Sequence, residues 1–150
     1  MVGIGYDSHR FADGRKLVLG GVEVDHPQGL EGHSDADVVT HAVIDAILGA
    51  AGGGDIGTLF PPDEERWRDA ASIDLLRTAI GTIAGRVVNV DATVICEVPK
   101  LAPYKPQMEA LLGEVTSAKV SIKATTNEGM GWIGRREGIA CIAVAQVEDD

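Results

Sequence analysis

The sequence predicts an α/β (α+β) fold: a single mixed β-sheet with helices packed on one face, in one domain over residues 1–150. Three observations carry this prediction. Short alternating or apolar runs near 2–6, 88–98 and 139–147 fit strands, and segments of helical periodicity lie between them. A chain of 150 residues that is 45% hydrophobic can bury one core, and it shows no repeat, linker or low-complexity stretch to separate a second domain.

Val2–Tyr6 reads as the first strand, and Leu17–Val24 as the second, interrupted at Gly20-Gly21. A loop through Pro27 and Gly29 leads to a helix over 35–51. Its expected start is a capping box with Ser34 as N-cap and Asp37 three residues on. Val39, Ala42, Val43, Ala46, Ile47 and Ala50 give this helix an apolar face, and Gly52-Gly53-Gly54 ends it. A second helix over 72–84 begins at Ser72 and aligns Ile73, Leu76, Ile80 and Ile83. Val88–Val94 alternates strictly and continues to Val98 as a strand. A third helix starts near Pro103 and carries Met108, Leu111 and Leu112. Val120–Thr126 and Ile139–Val147 are the last strands, and the second is apolar enough to suit a strand buried on both faces. That pattern predicts self-association, since one sheet face is otherwise left open.

Thirteen basic against twenty-three acidic residues give a net charge of −10, which argues against binding nucleic acid or a membrane surface. A phosphorylated ligand remains compatible, because metal ions or a few placed cations supply positive charge locally. Nineteen glycines and only six aromatic residues point to a tightly turned core of Ala, Val and Ile. Cys96 and Cys141 sit in strand-like runs without a CxxC partner and read as buried thiols in a reducing compartment. With no signal-peptide pattern at the start and no apolar run near ~20 residues, a cytoplasmic location is expected.

The chemistry concentrates at Asp7 and His9. Residues i and i+2 of a strand share a face, so a carboxylate and an imidazole can address one metal ion. His41 is the candidate third ligand. It lies on a stripe with Asp37 and Asp45 at i, i+4 spacing, and either carboxylate could hold its second ring nitrogen, with Asp45 the preferred partner. The same stripe also fits a solvated helix face. Three ligands with an open fourth position would describe a catalytic rather than a structural zinc; His26 and His33 are available by type, but no spacing compels a fourth. Asp55-Ile56-Gly57 with Phe60-Pro61-Pro62-Asp63 places a carboxylate on a loop near the end of the His41 helix. Lys123-Ala124-Thr125-Thr126-Asn127-Glu128-Gly129 combines hydroxyls suited to phosphate with a carboxylate suited to a divalent ion, though a self-satisfied turn has the same composition. Lys100 lies between Pro99 and Pro103, and Trp132 lies beside Arg135 and Arg136.

Taken in order, the blocks Gly5-Tyr6-Asp7-Ser8-His9, Gly32-His33-Ser34-Asp35-Ala36-Asp37 with His41 and Asp45, Gly54 through Pro61, Pro99-Lys100, Lys123 through Thr126, Glu128 and Gly134 through Cys141 resemble the 2-C-methyl-D-erythritol 2,4-cyclodiphosphate synthase family over about Val2–Val147. The resemblance implies a homotrimer with active sites between subunits. Its substrate would be 4-diphosphocytidyl-2-C-methyl-D-erythritol 2-phosphate, closed to a cyclodiphosphate with release of CMP. It also implies Zn²⁺ on Asp7, His9 and His41, and Mg²⁺ or Mn²⁺ held by the substrate diphosphate with help from Glu128. His33 and Ser34 would hold the 2-phosphate beside the dipole of the helix start, and the Asp55, Ile56 and Gly57 segment would bind the erythritol. Thr125 and Thr126 would contact the diphosphate, Lys100 would line the cytidine pocket of another subunit, and His33 and Thr126 would stabilise the transition state. Trp132 and Arg135 match positions lining a cavity on the trimer axis where an isoprenoid diphosphate would sit. One departure is Pro62, where the family often carries a carboxylate; Asp63 and Glu64 follow it. Asp7, His9 and His41 alone also permit a zinc-dependent nucleotide-diphosphate phosphoesterase, or a non-catalytic trimeric scaffold with a structural metal.

Overall fold

The computed structural model describes residues Met1–Asp150. Five strands form a mixed sheet in the order β4 (Gly29–Leu30), β1 (Val2–Ala12), β7 (Gly138–Glu148), β5 (Arg86–Ile95), β6 (Lys119–Thr125). Only β5 and β6 run parallel, joined across α4 (Lys105–Thr116), as a parallel pair requires. β2 (Leu17–Leu19) and β3 (Val22–Val24) make a separate hairpin about Gly20-Gly21. α1 (Val38–Ala51) lies on β1 and β7, and α3 (Ser72–Thr82) packs against α1 and α4. Short helices α2 (Ile56–Leu59) and α5 (Gly131–Gly134) sit in the connecting loops. No helix is long and apolar enough to cross a membrane.

The predicted mixed sheet with helices on one face is present, with several boundaries moved. β1 runs to Ala12, well beyond Tyr6, because Asp7 through Arg10 stay paired with Cys141 through Gly138 of β7. α1 begins at Val38 with Asp37, not Ser34, as its cap. Asp37 is fully buried and accepts from the Thr40 N–H at 3.0 Å and its hydroxyl at 2.7 Å, and also from the Gly20 and Gly21 N–H groups at 2.8 and 2.7 Å. One carboxylate therefore caps the helix and ties down the β2–β3 turn. α3 buries Leu75, Leu76 and Ala79, while Ile73, Ile80 and Ile83 are half-buried. α4 starts at Lys105 with Pro106 in its first turn, rather than near Pro103. β5 ends at Ile95, short of Val98.

β7 departs from the expectation of burial on both faces. Ile139, Cys141, Ala143, Ala145 and Val147 are buried on the helix side, whereas Ile142 and Val144 are 39% exposed. Tyr6 pairs with Ile142 and Ile4 with Val144, so β1 and β7 present one contiguous apolar patch, completed by Val2.

On the opposite face of β1, Gly3 and Gly5 let α1 approach the backbone. A Cβ at Gly3 would lie 2.1 Å from the Ala46 carbonyl oxygen, and one at Gly5 would lie 2.0 Å from that of Ala42. Asp7 and His9 follow on the same face, which brings them under the first turn of α1, where His41 sits.

Candidate metal centre

The close approach of α1 to β1 brings Asp7, His9 and His41 together, with donor atoms all within 4.8 Å of one another. Asp7 Oδ2 lies 2.8 Å from His9 Nε2 and 3.2 Å from His41 Nδ1. His9 donates its Nδ1–H to the Glu31 carbonyl at 2.7 Å, which leaves Nε2 to face the carboxylate, as a donor when the ring is protonated and as a free lone pair when it is not. Burial alone would raise the Asp7 carboxyl, but its hydrogen bonds to His41 and His9 outweigh this and hold it below the ordinary value. Burial would likewise lower His9, and the hydrogen bond and charge of Asp7 outweigh it and raise its proton affinity. An electron-rich pocket of one carboxylate and two imidazoles in want of a cation suits a divalent metal. His26 packs at a tilt against Phe11, with ring centres 5.3 Å apart, and His33 reaches the Glu64 carbonyl at 3.1 Å, so neither joins the three as a fourth ligand.

These ligands border a cleft of about 200 Å³ lined by His9, His33, Ser34, His41, Ile56 and Gly57, and closed by Phe60, Pro62, Trp67 and Leu75. Phe60 and Trp67 meet edge to face at 4.9 Å. Two expectations are corrected here. Asp45 does not hold His41: its Oδ1 accepts from the Ile56 N–H at 2.7 Å and so shapes the Asp55–Gly57 loop, while burial, and then the charge of Asp55, raises its proton affinity. His41 Nε2 instead faces the hydroxyls of Ser72 at 2.8 Å and Ser34 at 3.2 Å. Because Asp37 caps α1, the helix start already faces a carboxylate, and the dipole expected to assist a phosphate at Ser34 is largely offset.

The family model described as YgbB matches residues 1–148. The chain belongs to the YgbB family. A curated relative from Symbiobacterium thermophilum, named 2-C-methyl-D-erythritol 2,4-cyclodiphosphate synthase, is 56% identical over 153 residues, covering 98% of both chains. The chain superimposes on a solved 2C-methyl-D-erythritol-2,4-cyclodiphosphate synthase, in its CDP-bound form, with a TM-score of 0.87 at 31% identity, over 99% of this chain and 100% of that one. The bifunctional IspDF from Campylobacter jejuni gives a TM-score of 0.91 at 38% identity, covering 99% of this chain and 42% of that longer one.

The remaining candidate site residues of this YgbB-family chain do not line the cleft. In one row across the sheet, Ser8 pairs with Ala140, Ala140 with Ile95, and Ile95 with Thr125; three strand spacings separate Thr125 from β1, about 14 Å. Thr125 is exposed, and the Thr126 hydroxyl accepts from the Glu128 N–H at 3.2 Å. Glu97 braces this turn, accepting from the Asn127 N–H at 2.7 Å and the Gly129 N–H at 3.0 Å on either side of Glu128, whose φ is +55°. Lys100 is exposed on the neighbouring loop. Arg135 pairs with Glu137 at 2.7 Å, and Trp132 with Ser8, His9, Arg10 and Glu137 lines a second cleft. Asp55 is exposed and held below the ordinary carboxyl value by hydrogen bonds from the side chain and backbone of Thr58. Sequence reasoning missed Ser72, Glu97 and Trp67; it met Pro62 only as a departure from the family, and the structure makes it a wall of the cleft.

Proposed function

We propose that this enzyme, by its family a cyclising phosphorus–oxygen lyase, converts 4-diphosphocytidyl-2-C-methyl-D-erythritol 2-phosphate to 2-C-methyl-D-erythritol 2,4-cyclodiphosphate and CMP. An oxygen of the 2-phosphate attacks the β-phosphorus; a new P–O–P linkage forms, the bond from the β-phosphorus to the α,β-bridging oxygen breaks, and CMP leaves with that oxygen and its electron pair. The observation that carries this reading is the convergence of Asp7, His9 and His41 beside the cleft in a chain so similar to named synthases.

A Zn²⁺ ion on Asp7, His9 and His41, with Mg²⁺ or Mn²⁺ on the substrate diphosphate and Glu128, would supply Lewis-acid polarisation and charge neutralisation. The chain's own part is positioning. His33 and Ser34 hold the 2-phosphate, the Asp55–Gly57 loop binds the erythritol hydroxyls, and the Phe60, Pro62 and Trp67 wall keeps water from competing with the attacking phosphate. Thr125 and Thr126 engage the diphosphate, Thr126 and His33 stabilise the transition state, and Lys100 lines the cytidine pocket.

Residues 1–150 form a single catalytic domain that works as a homotrimer, with the Lys100 and Thr125–Glu128 groups of one subunit facing the cleft of the next. Three features support this assembly: the ~14 Å gap across the sheet, the open patch of Val2, Ile4, Tyr6, Ile142 and Val144, and a cleft below the ~300 Å³ at which small-molecule sites begin. The isoprenoid diphosphate site on the trimer axis would lie on this open side, toward Trp132 and Arg135. A cytoplasmic location fits the two free buried thiols. Incubation with the cytidyl substrate and Mg²⁺ should yield CMP and the cyclic product, and Asp7→Asn should abolish release. A linear phosphate product, or undiminished CMP release from Asp7→Asn, would overturn the reading.

A further inference from the structure

We propose that Ser72 and Asp35 are positioning residues that hold His41 as the tautomer protonated on Nε2, so that an unprotonated Nδ1 is presented toward Asp7 and His9. The consequence for metal affinity rests on the metal reading above; the tautomer assignment does not.

A hydroxyl facing an imidazole nitrogen is ambivalent, because it can donate or accept. At Ser72 the surroundings remove the ambiguity. The side chain is fully buried, and its Oγ contacts both His41 Nε2, at 2.8 Å, and Asp35 Oδ1. Asp35 is placed there as an acceptor: its Oδ1 also takes the Asp37 N–H at 3.1 Å, and its Oδ2 takes the Ser72 N–H at 3.0 Å. The single hydroxyl proton of Ser72 is thereby committed to the carboxylate. Ser72 then offers His41 only lone pairs, a contact that the Nε2–H tautomer makes at 2.8 Å and the Nδ1–H tautomer forfeits; Asp7 Oδ2 competes for the proton from the longer distance of 3.2 Å to Nδ1. Ser34 Oγ, the longer contact to Nε2 at 3.2 Å, lies within reach of the same N–H.

The result parallels His9, whose outer nitrogen donates to the Glu31 carbonyl. Each imidazole is anchored through one N–H and turns its other nitrogen inward, the arrangement that fixes ring orientation in histidine metal sites. The relay also joins three segments: Asp35 precedes α1, His41 lies in its first turns, and Ser72 opens α3. This contact between α3 and the metal centre has no sequence-local signal, since Asp35 and Ser72 are 37 residues apart.

The test begins with nitrogen-15 NMR of the imidazoles in metal-free protein, where His41 should carry its proton on Nε2. In Ser72→Ala this preference should relax, and Zn²⁺ affinity, read by competition with a chromophoric chelator, should fall 10- to 100-fold, the usual loss for an outer hydrogen-bond partner. Ser72→Thr, which keeps the hydroxyl, should restore both. Proton placement on Nδ1 of wild-type His41 would overturn the inference, and that measurement needs no variant to fold. A folded Ser72→Ala protein with unchanged tautomer and unchanged Zn²⁺ affinity would overturn it too. Failure of wild-type protein to bind Zn²⁺, with the tautomer as assigned, would instead refute the metal reading.

Discussion

Gly5→Ala is the sharpest probe of how β1 places the candidate metal ligands. The new Cβ would stand 2.0 Å from the Ala42 carbonyl oxygen and 2.8 Å from the Ala46 nitrogen, where ordinary contact begins at 3.4 Å. Both neighbours are helix backbone and cannot rotate aside, so α1 must withdraw by about 1.4 Å, the difference between those distances. Ala42 directly follows His41, and the Asp7 to His41 separation of 3.2 Å would open by a comparable amount. Metal sites hold their distances within about 0.2 Å, so affinity should drop steeply. Overpacking of this kind costs about 3 kcal/mol, the upper part of its usual range, or roughly 6–12 °C of Tm for a chain this long. Gly3→Ala is the internal control: its Cβ would meet the Ala46 carbonyl at 2.1 Å and the Ala50 nitrogen at 2.3 Å, a similar violation more than a turn farther from His41. Calorimetry should therefore show similar losses of stability in the two variants, while chelator competition shows the larger loss of Zn²⁺ affinity in Gly5→Ala. Equal affinity losses, or Gly5→Ala melting within about 2 °C of wild type, would refute the argument.

Two further outcomes follow from the same geometry. In metal-free protein the lowered Asp7 contributes stability above its unfolded value of 3.8 that is lost as pH falls through its folded value; the raised His9 contributes stability below 6.5 that is lost as pH rises through its folded value. The part of the denaturant midpoint that Asp7→Asn or His9→Gln removes in metal-free protein should thus be largest between about pH 4 and 6.5, and saturating Zn²⁺ should displace that window to higher pH, because the metal competes with protons for the same atoms. Glu97→Ala should weaken the Mg²⁺ dependence of CMP release about tenfold, one net charged hydrogen bond's worth, while leaving Zn²⁺ affinity unchanged; equal Mg²⁺ titrations would show that the brace on Glu128 is dispensable.

The parts of the site legible in the sequence are those fixed by local period. Asp7 and His9 follow Gly3 and Gly5 at strand spacing, and His41 lies near the start of a helix, so two short-range patterns sufficed to nominate the three ligands. The misread parts depend on partners distant in the chain. Ser34 and Asp37 are both competent caps, and the choice falls to Asp37 because the Gly20 and Gly21 N–H groups bind it from 17 and 16 residues away. Asp45 has the right spacing for His41, but the loop after α1 returns to claim it through Ile56. Ser72 reads only as a helix start, and Trp67 carries no sequence signal at all, until the chain between 60 and 72 folds across the cleft.

The alternation of β1 explains why the candidate metal centre and the open face belong to one design. Odd positions Gly3, Gly5, Asp7 and His9 meet α1, whereas Val2, Ile4 and Tyr6 point the other way and extend across Ile142 and Val144 of β7. Because the strand period is two, a one-residue slip would send the carboxylate and imidazole to the open face and drive Ile4 and Tyr6 into the helix backbone. The glycines make that slip especially costly, since only the odd face can accept α1 at its observed distance. A single inserted residue between Gly5 and Asp7 should therefore cost metal binding if the segment from Asp7 slips, or the apolar patch if the segment up to Gly5 slips, whereas Ile4→Ser should touch the patch alone. Loss of neither would show that a bulge absorbs the extra residue and that the two faces do not depend on one register.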